Sequence, residues 1–220
     1  MAGSSKISPF NIILLVCALG AIGIAMMMNT HKKPIRILPI YGPSEYDAKL
    51  KDTIYHKVFN FKLTDQMGQT VTLDSFKNKV FVANFFYATC PGICKKMNYE
   101  LENATKAFAG NPKVKFLSYT VDPVRDSVPV LAQYAKLHDA VPYQWYFLTG
   151  SKDSIYHLAR KSYYASVDTA DGRNFVHTEN MVLVDSKRQL RGIYHGTDSA
   201  DVARMVKDIN LLLQEESQQQ

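Results

Sequence analysis

Two of the three cysteines in this chain, Cys90 and Cys94, lie four residues apart in the segment Cys90-Pro91-Gly92-Ile93-Cys94. They follow the apolar run Val80–Tyr87 (VFVANFFY) and precede a helical pattern, so they fall where a buried strand hands over to a helix. If that helix begins near Cys90, Pro91 suits its first turn and the spacing of four puts both sulfurs on one face. A helix N-terminus favours thiolate, which makes a thiol more acidic and more reactive. Two thiolates and one imidazole would form a soft, low-coordination site suited to Cu(I). The same two sulfurs, oxidised, would form a disulfide across one turn. Two ordinary buried cysteines are the plain alternative. A structural zinc site asks for about four ligands. Beyond Cys17 the chain has no further cysteine, and its histidines form no closely spaced pair.

The surrounding elements read as an alternation. Val58–Thr64 alternates apolar and polar residues, Gln66-Met67-Gly68-Gln69 is a turn, and Thr70–Leu73 returns, which predicts a hairpin. Val80–Tyr87 and Val114–Val121 are nearly continuous apolar runs, as in strands covered on both faces. A helix is expected after the cysteines to about Ala109. A second is expected from Ser127-Val128-Pro129, and a third is capped by Ser151. Trp145–Leu148 is a short strand. Met181–Val184 turns through Asp185-Ser186-Lys187 into Gln189–Tyr194. Val202, Met205, Val206, Ile209 and Leu213 share one face of a last helix. The expected architecture is α/β: a central mixed sheet flanked by helices, similar to the thioredoxin fold with an added N-terminal β-hairpin.

That order favours one histidine among six and leaves the others open. His31 falls in a linker, and His138 and His157 lie on or beside helices. His195 precedes Gly196 in a turn, and His56 precedes the first strand. His177 stands just before the Met181 strand, in the loop that a thioredoxin-like fold places against the cysteine turn.

The other end of the chain is of a different kind. Ile12–Met28 (IILLVCALGAIGIAMMM) carries no charge and is about the 17 residues that crossing a bilayer core requires at minimum. A cleaved signal peptide would have a shorter apolar region and a small-x-small site, whereas this run ends in Met26-Met27-Met28-Asn29. The expected organisation is a short tail (1–11), a transmembrane anchor (12–28), a linker broken by Pro34, Pro39 and Pro43 (29–55), one folded domain (56–215) and a frayed tail (216–220). Hydrophobic residues make up 46% of the chain, so it is not disordered throughout. The net charge of +6 is spread without a basic stripe, which argues against nucleic-acid binding.

Asn84–Cys94 (NFFYATCPGIC), Thr120–Asp126 (TVDPVRD), Leu148-Thr149-Gly150 and Phe175–Asp185 (FVHTENMVLVD) together resemble the Sco/SenC proteins. These are membrane-anchored thioredoxin-fold factors for copper assembly of cytochrome c oxidase. The resemblance implies copper ligands at Cys90, Cys94 and His177, with one ion per domain. It also implies a supporting aspartate at Asp122, whose plain reading is a turn cap before Pro123. Two positions depart from the family pattern CPDxCP: Gly92 and Lys95 replace its Asp and second Pro. Neither replaced residue is a copper ligand, so the departures bear on loop rigidity, partner docking or redox potential.

The function implied is a metallochaperone. It would deliver copper to the dinuclear copper centre of the oxidase, reduce the cysteines of that centre, or both. The partners implied are the copper-bearing oxidase subunit, the membrane, and a thiol reductant or second copper chaperone. The alternative is a membrane-tethered thiol–disulfide oxidoreductase or peroxidase with no metal role. Copper insertion places the domain on the periplasmic side of a bacterial inner membrane. A literal count of Lys6 against Lys32, Lys33 and Arg36 points the other way.

Overall fold

The structure is a computed structural model that describes residues 9–30, 36–165, 167–168, 175–176 and 178–218. It divides into two units, one through Arg36 and one from Ile37 onward. In the first, helix α1 (Pro9–Thr30) carries no charged residue, and its side chains are described as far as Gly23. Among the described residues no helix is long and apolar enough to cross a membrane.

The second unit opens with a hairpin of β1 (Ser44–Asp47) and β2 (Asp52–Tyr55), followed by a second hairpin of β3 (Lys62–Thr64) and β4 (Thr70–Thr72). A 3₁₀ turn at Leu73–Phe76 leads into β5 (Val80–Phe86), α2 (Ile93–Ala107), β6 (Val114–Thr120) and α3 (Val128–Leu137). Then come β7 (Trp145–Leu148), α4 (Lys152–Ser162), the short pair β8 (Val167–Asp168) and β9 (Phe175–Val176), β10 (Asn180–Val184), β11 (Leu190–His195) and α5 (Ser199–Gln218). The central sheet runs β11-β10-β5-β6-β7. β5, β6 and β7 are parallel, while β10 is antiparallel to both neighbours. This is the mixed sheet the sequence predicts.

Side-chain alternation in β5 builds both faces. Val80, Val82 and Phe86 pack with Met97 and Leu101 of α2, Leu131 of α3 and Met205 of α5. Phe81, Ala83 and Phe85 pack with Leu63 and Val71 of the hairpin and Ile155 and Leu158 of α4. All seven residues of β5 and of β6 are buried, which is why both runs lack a polar face. β5 and β6 end together, with Phe86 opposite Thr120, so the loops that follow them meet at one edge.

Two boundaries differ from expectation. Part of the expected linker belongs to the folded unit, because Leu38 is 3% exposed and β1 and β2 pair within it. Arg191 holds this segment from beneath. Its guanidinium donates to the carbonyls of Leu38 (2.7 Å) and Pro39 (3.2 Å) and pairs with Asp185 (3.0 Å) and Glu215 (2.8 Å). Glu216–Gln218 of the expected frayed tail instead belong to α5, where Glu216 accepts the Ser186 N–H at 2.8 Å, and the last two residues lie outside the described residues.

Candidate metal centre

Cys90 lies outside the helix that follows it. α2 begins at Ile93 with Gly92 at the N-cap, so Cys90 and Pro91 belong to the β5–α2 loop. This corrects the expectation of a helix starting near Cys90. Pro91 lacks an N–H and Gly92 has no side chain to cap with, and the turn is closed by Cys90 N–H donating to Tyr87 O at 3.1 Å. The sulfurs are brought together all the same. The Cys94 N–H, one of the unpaired donors of the first helical turn, points at Cys90 Sγ at 3.4 Å. The sulfur does the capping that Gly92 cannot.

Both cysteines are free thiols and both are 4% exposed. Their acidities diverge. Burial pushes the Cys90 thiol up, but hydrogen bonds from the Cys94 thiol, the Gly92 and Cys94 backbone and the Tyr87 side chain outweigh it and leave Cys90 below its ordinary value. Burial pushes Cys94 up to about 12, and its bond to the Cys90 sulfur adds to the rise. Of the two thiols, Cys90 is the one held toward thiolate and Cys94 the one held toward its protonated form.

The pair opens into a cleft of about 210 Å³ whose walls include Tyr87, Ile93, Thr178 and Glu179. Thr178 and Glu179 directly follow His177, which itself lies outside the described residues. Among the described residues no group of three or more His, Cys, Asp or Glu side chains gathers at metal-binding spacing. Other histidines have partners elsewhere. His56 Nε2 bonds the Ser162 carbonyl at 3.0 Å, His138 Nδ1 meets Glu102 at 2.5 Å, and His157 stacks on Phe59.

Asp122 stands at the end of β6. Its carbonyl accepts the N–H groups of Arg125 (3.1 Å) and Asp126 (2.9 Å), and its carboxylate lies 3.7 Å from Arg125 Nε. These are the contacts of a turn cap. The carboxylate that touches the cysteine loop is Asp126, whose Oδ2 accepts the Ala88 N–H at 3.1 Å. The sequence carries both acids in TVDPVRD, but nothing in that string says which one is buried. Tyr87 is a second residue the sequence reading missed; its position directly after the apolar strand was the available signal.

The sequence matches the SCO1/SenC family profile over residues 51–214. The chain belongs to the SCO1/SenC family. Among SCO1/SenC relatives, the chain is 29% identical over 164 residues to the SCO1 protein homolog of Bacillus subtilis (strain 168), covering 73% of this chain and 85% of the relative. A solved structure of BsSco, described as a member of the Sco family of cytochrome c oxidase assembly proteins with a disulfide switch, has a TM-score of 0.63 at 28% identity. It covers 71% of this chain and 93% of its own. The Bradyrhizobium japonicum ScoI structure with copper bound has a TM-score of 0.55 at 25% identity over 67% of this chain and 98% of its own.

Proposed function

We propose that this SCO1/SenC chain carries copper on Cys90, Cys94 and His177 for the assembly of cytochrome c oxidase. The observation that carries the reading is the pair of converging thiols whose cleft is walled by the residues next to His177. The donor set fits the cargo. Two sulfurs of unequal acidity and one imidazole are soft ligands in number and kind for Cu(I). Copper bound in the Bradyrhizobium japonicum ScoI structure supports the assignment, as does the engagement of His56, His138 and His157 elsewhere.

The cargo leaves by ligand exchange, because two-sulfur ligation is open to attack by an acceptor thiolate. The same pair reduces a disulfide. Cys90 thiolate attacks one sulfur of the target, and Cys94, once deprotonated, resolves the mixed disulfide and returns two thiols to the target. The target is the copper-bearing subunit of the oxidase. In this reading residues 12–28 anchor the chain in a bacterial inner membrane, with the folded domain on the periplasmic side. The uncharged apolar run Ile12–Met28 in the sequence supports an anchor.

The test is copper stoichiometry of the reduced full-length chain. One Cu(I) per chain is expected, with Cys90→Ala and His177→Ala each losing it. Wild-type loading in both variants would overturn the site. Peroxide turnover by the metal-free reduced chain, unchanged in His177→Ala, would favour the alternative thiol peroxidase.

A further inference from the structure

The cysteine pair stands on a loop and the first turn of a helix, and loops hold a fixed geometry only where side chains tie them down. Asp126 is 1% exposed and does this from the neighbouring loop. Its Oδ2 accepts the Ala88 N–H at 3.1 Å and the Thr120 hydroxyl. Ala88 lies within the turn that Cys90 N–H closes onto Tyr87 O. Thr120 Oγ1 accepts the Asp122 N–H at 3.0 Å, and the Asp126 N–H donates to Asp122 O at 2.9 Å. One carboxylate thus joins the cysteine loop and the end of β6 to the β6–α3 loop that carries it. Its second oxygen, Oδ1, is buried with no hydrogen-bond partner in the described structure. A buried carboxyl satisfied on one side only is costly, so its presence calls for an explanation beyond packing.

We propose that Asp126 is a positioning residue for the dithiol. By holding Ala88 it sets where Cys90 Sγ stands against the Cys94 N–H, and so how readily the pair passes between dithiol and disulfide. This rests on reading Cys90 and Cys94 as the reactive pair, and it does not depend on copper.

The experiment is a redox titration of the full-length chain against glutathione. Protein dithiol and glutathione disulfide give protein disulfide and two glutathione thiols, with both electrons and both thiol protons passing from the protein to the glutathione sulfurs. Asp126→Ala removes the acceptor for Ala88, whereas Asp126→Asn keeps one carbonyl oxygen for it. The equilibrium constant is expected to move at least about tenfold in Asp126→Ala and to stay within about threefold of wild type in Asp126→Asn. A folded Asp126→Ala with an unchanged constant overturns the proposal, as does an equal shift in both variants. If Asp126→Ala does not fold, Asp126→Glu carries the test. It displaces the acceptor by one methylene, and an unchanged constant in that variant overturns the proposal. A wild-type chain that fails to bind copper would overturn the function proposed above and leave this titration standing.

Discussion

Cys90 and Cys94 are both 4% exposed, yet they differ in acidity: burial raises Cys94 most, with its bond to the Cys90 sulfur adding to the rise, whereas the hydrogen bonds to Cys90 outweigh its burial. At neutral pH an alkylating reagent should therefore label Cys90 first in the reduced chain. Its rate should rise through a pKa below the ordinary 9.0, while Cys94 stays silent until pH approaches about 12. Peptide mapping of the labelled sites against pH checks this, and faster labelling of Cys94 would contradict it. Gly92 offers a second prediction. A Cβ there meets nothing within 4 Å, so the first side-chain carbon of Gly92→Asp displaces no neighbour. The new carboxylate would cap α2, worth a few tenths of a kcal/mol (roughly), and would compete with Cys90 for the helix N–H groups. Alkylation of Cys90 at pH 7 should slow as its acidity falls. The two cysteines and their nearness were legible in the sequence because strand-to-helix junctions can be read from composition. Asp126 was not, since burial of a carboxylate depends on which neighbouring loop covers it.

At the scale of elements, β5 and β6 were legible because strands covered on both faces are mostly apolar, with no alternating polar face. The β1–β2 hairpin was not. Its strands are mostly exposed and show no buried period, and Pro39 and Pro43 beside them read as breaks. The start of α2 was placed too early because Pro91 fits a first helical turn as well as a tight loop. The cluster around Arg191 was also hidden, since Asp185, Arg191 and Glu215 come from three elements. Arg191→Ala would strand two buried carboxylates. It should lower stability by about 3–5 kcal/mol, read by denaturant unfolding. Replacement of the whole trio by apolar residues should cost much less.

For the molecule as a whole, the folded unit starts earlier than composition suggests. A fragment beginning at Ile37 should melt as a cooperative unit. One beginning at Tyr41 loses Leu38, which is 3% exposed, and both carbonyls that Arg191 holds. Burial of Leu38 alone is worth about 1.5–3 kcal/mol, so the shorter fragment should unfold at a clearly lower temperature in calorimetry. Equal midpoints would show that the segment contributes nothing. The bond from Cys94 N–H to Cys90 Sγ has one more consequence. An anionic sulfur is a stronger acceptor than a neutral one. Oxidation or metal capture takes charge from that sulfur, so the Cys94 amide becomes a built-in gauge of the state of the site. Its proton should exchange with solvent more slowly in the reduced, unloaded chain than in the oxidised one, a difference that one resolved amide signal would follow in real time.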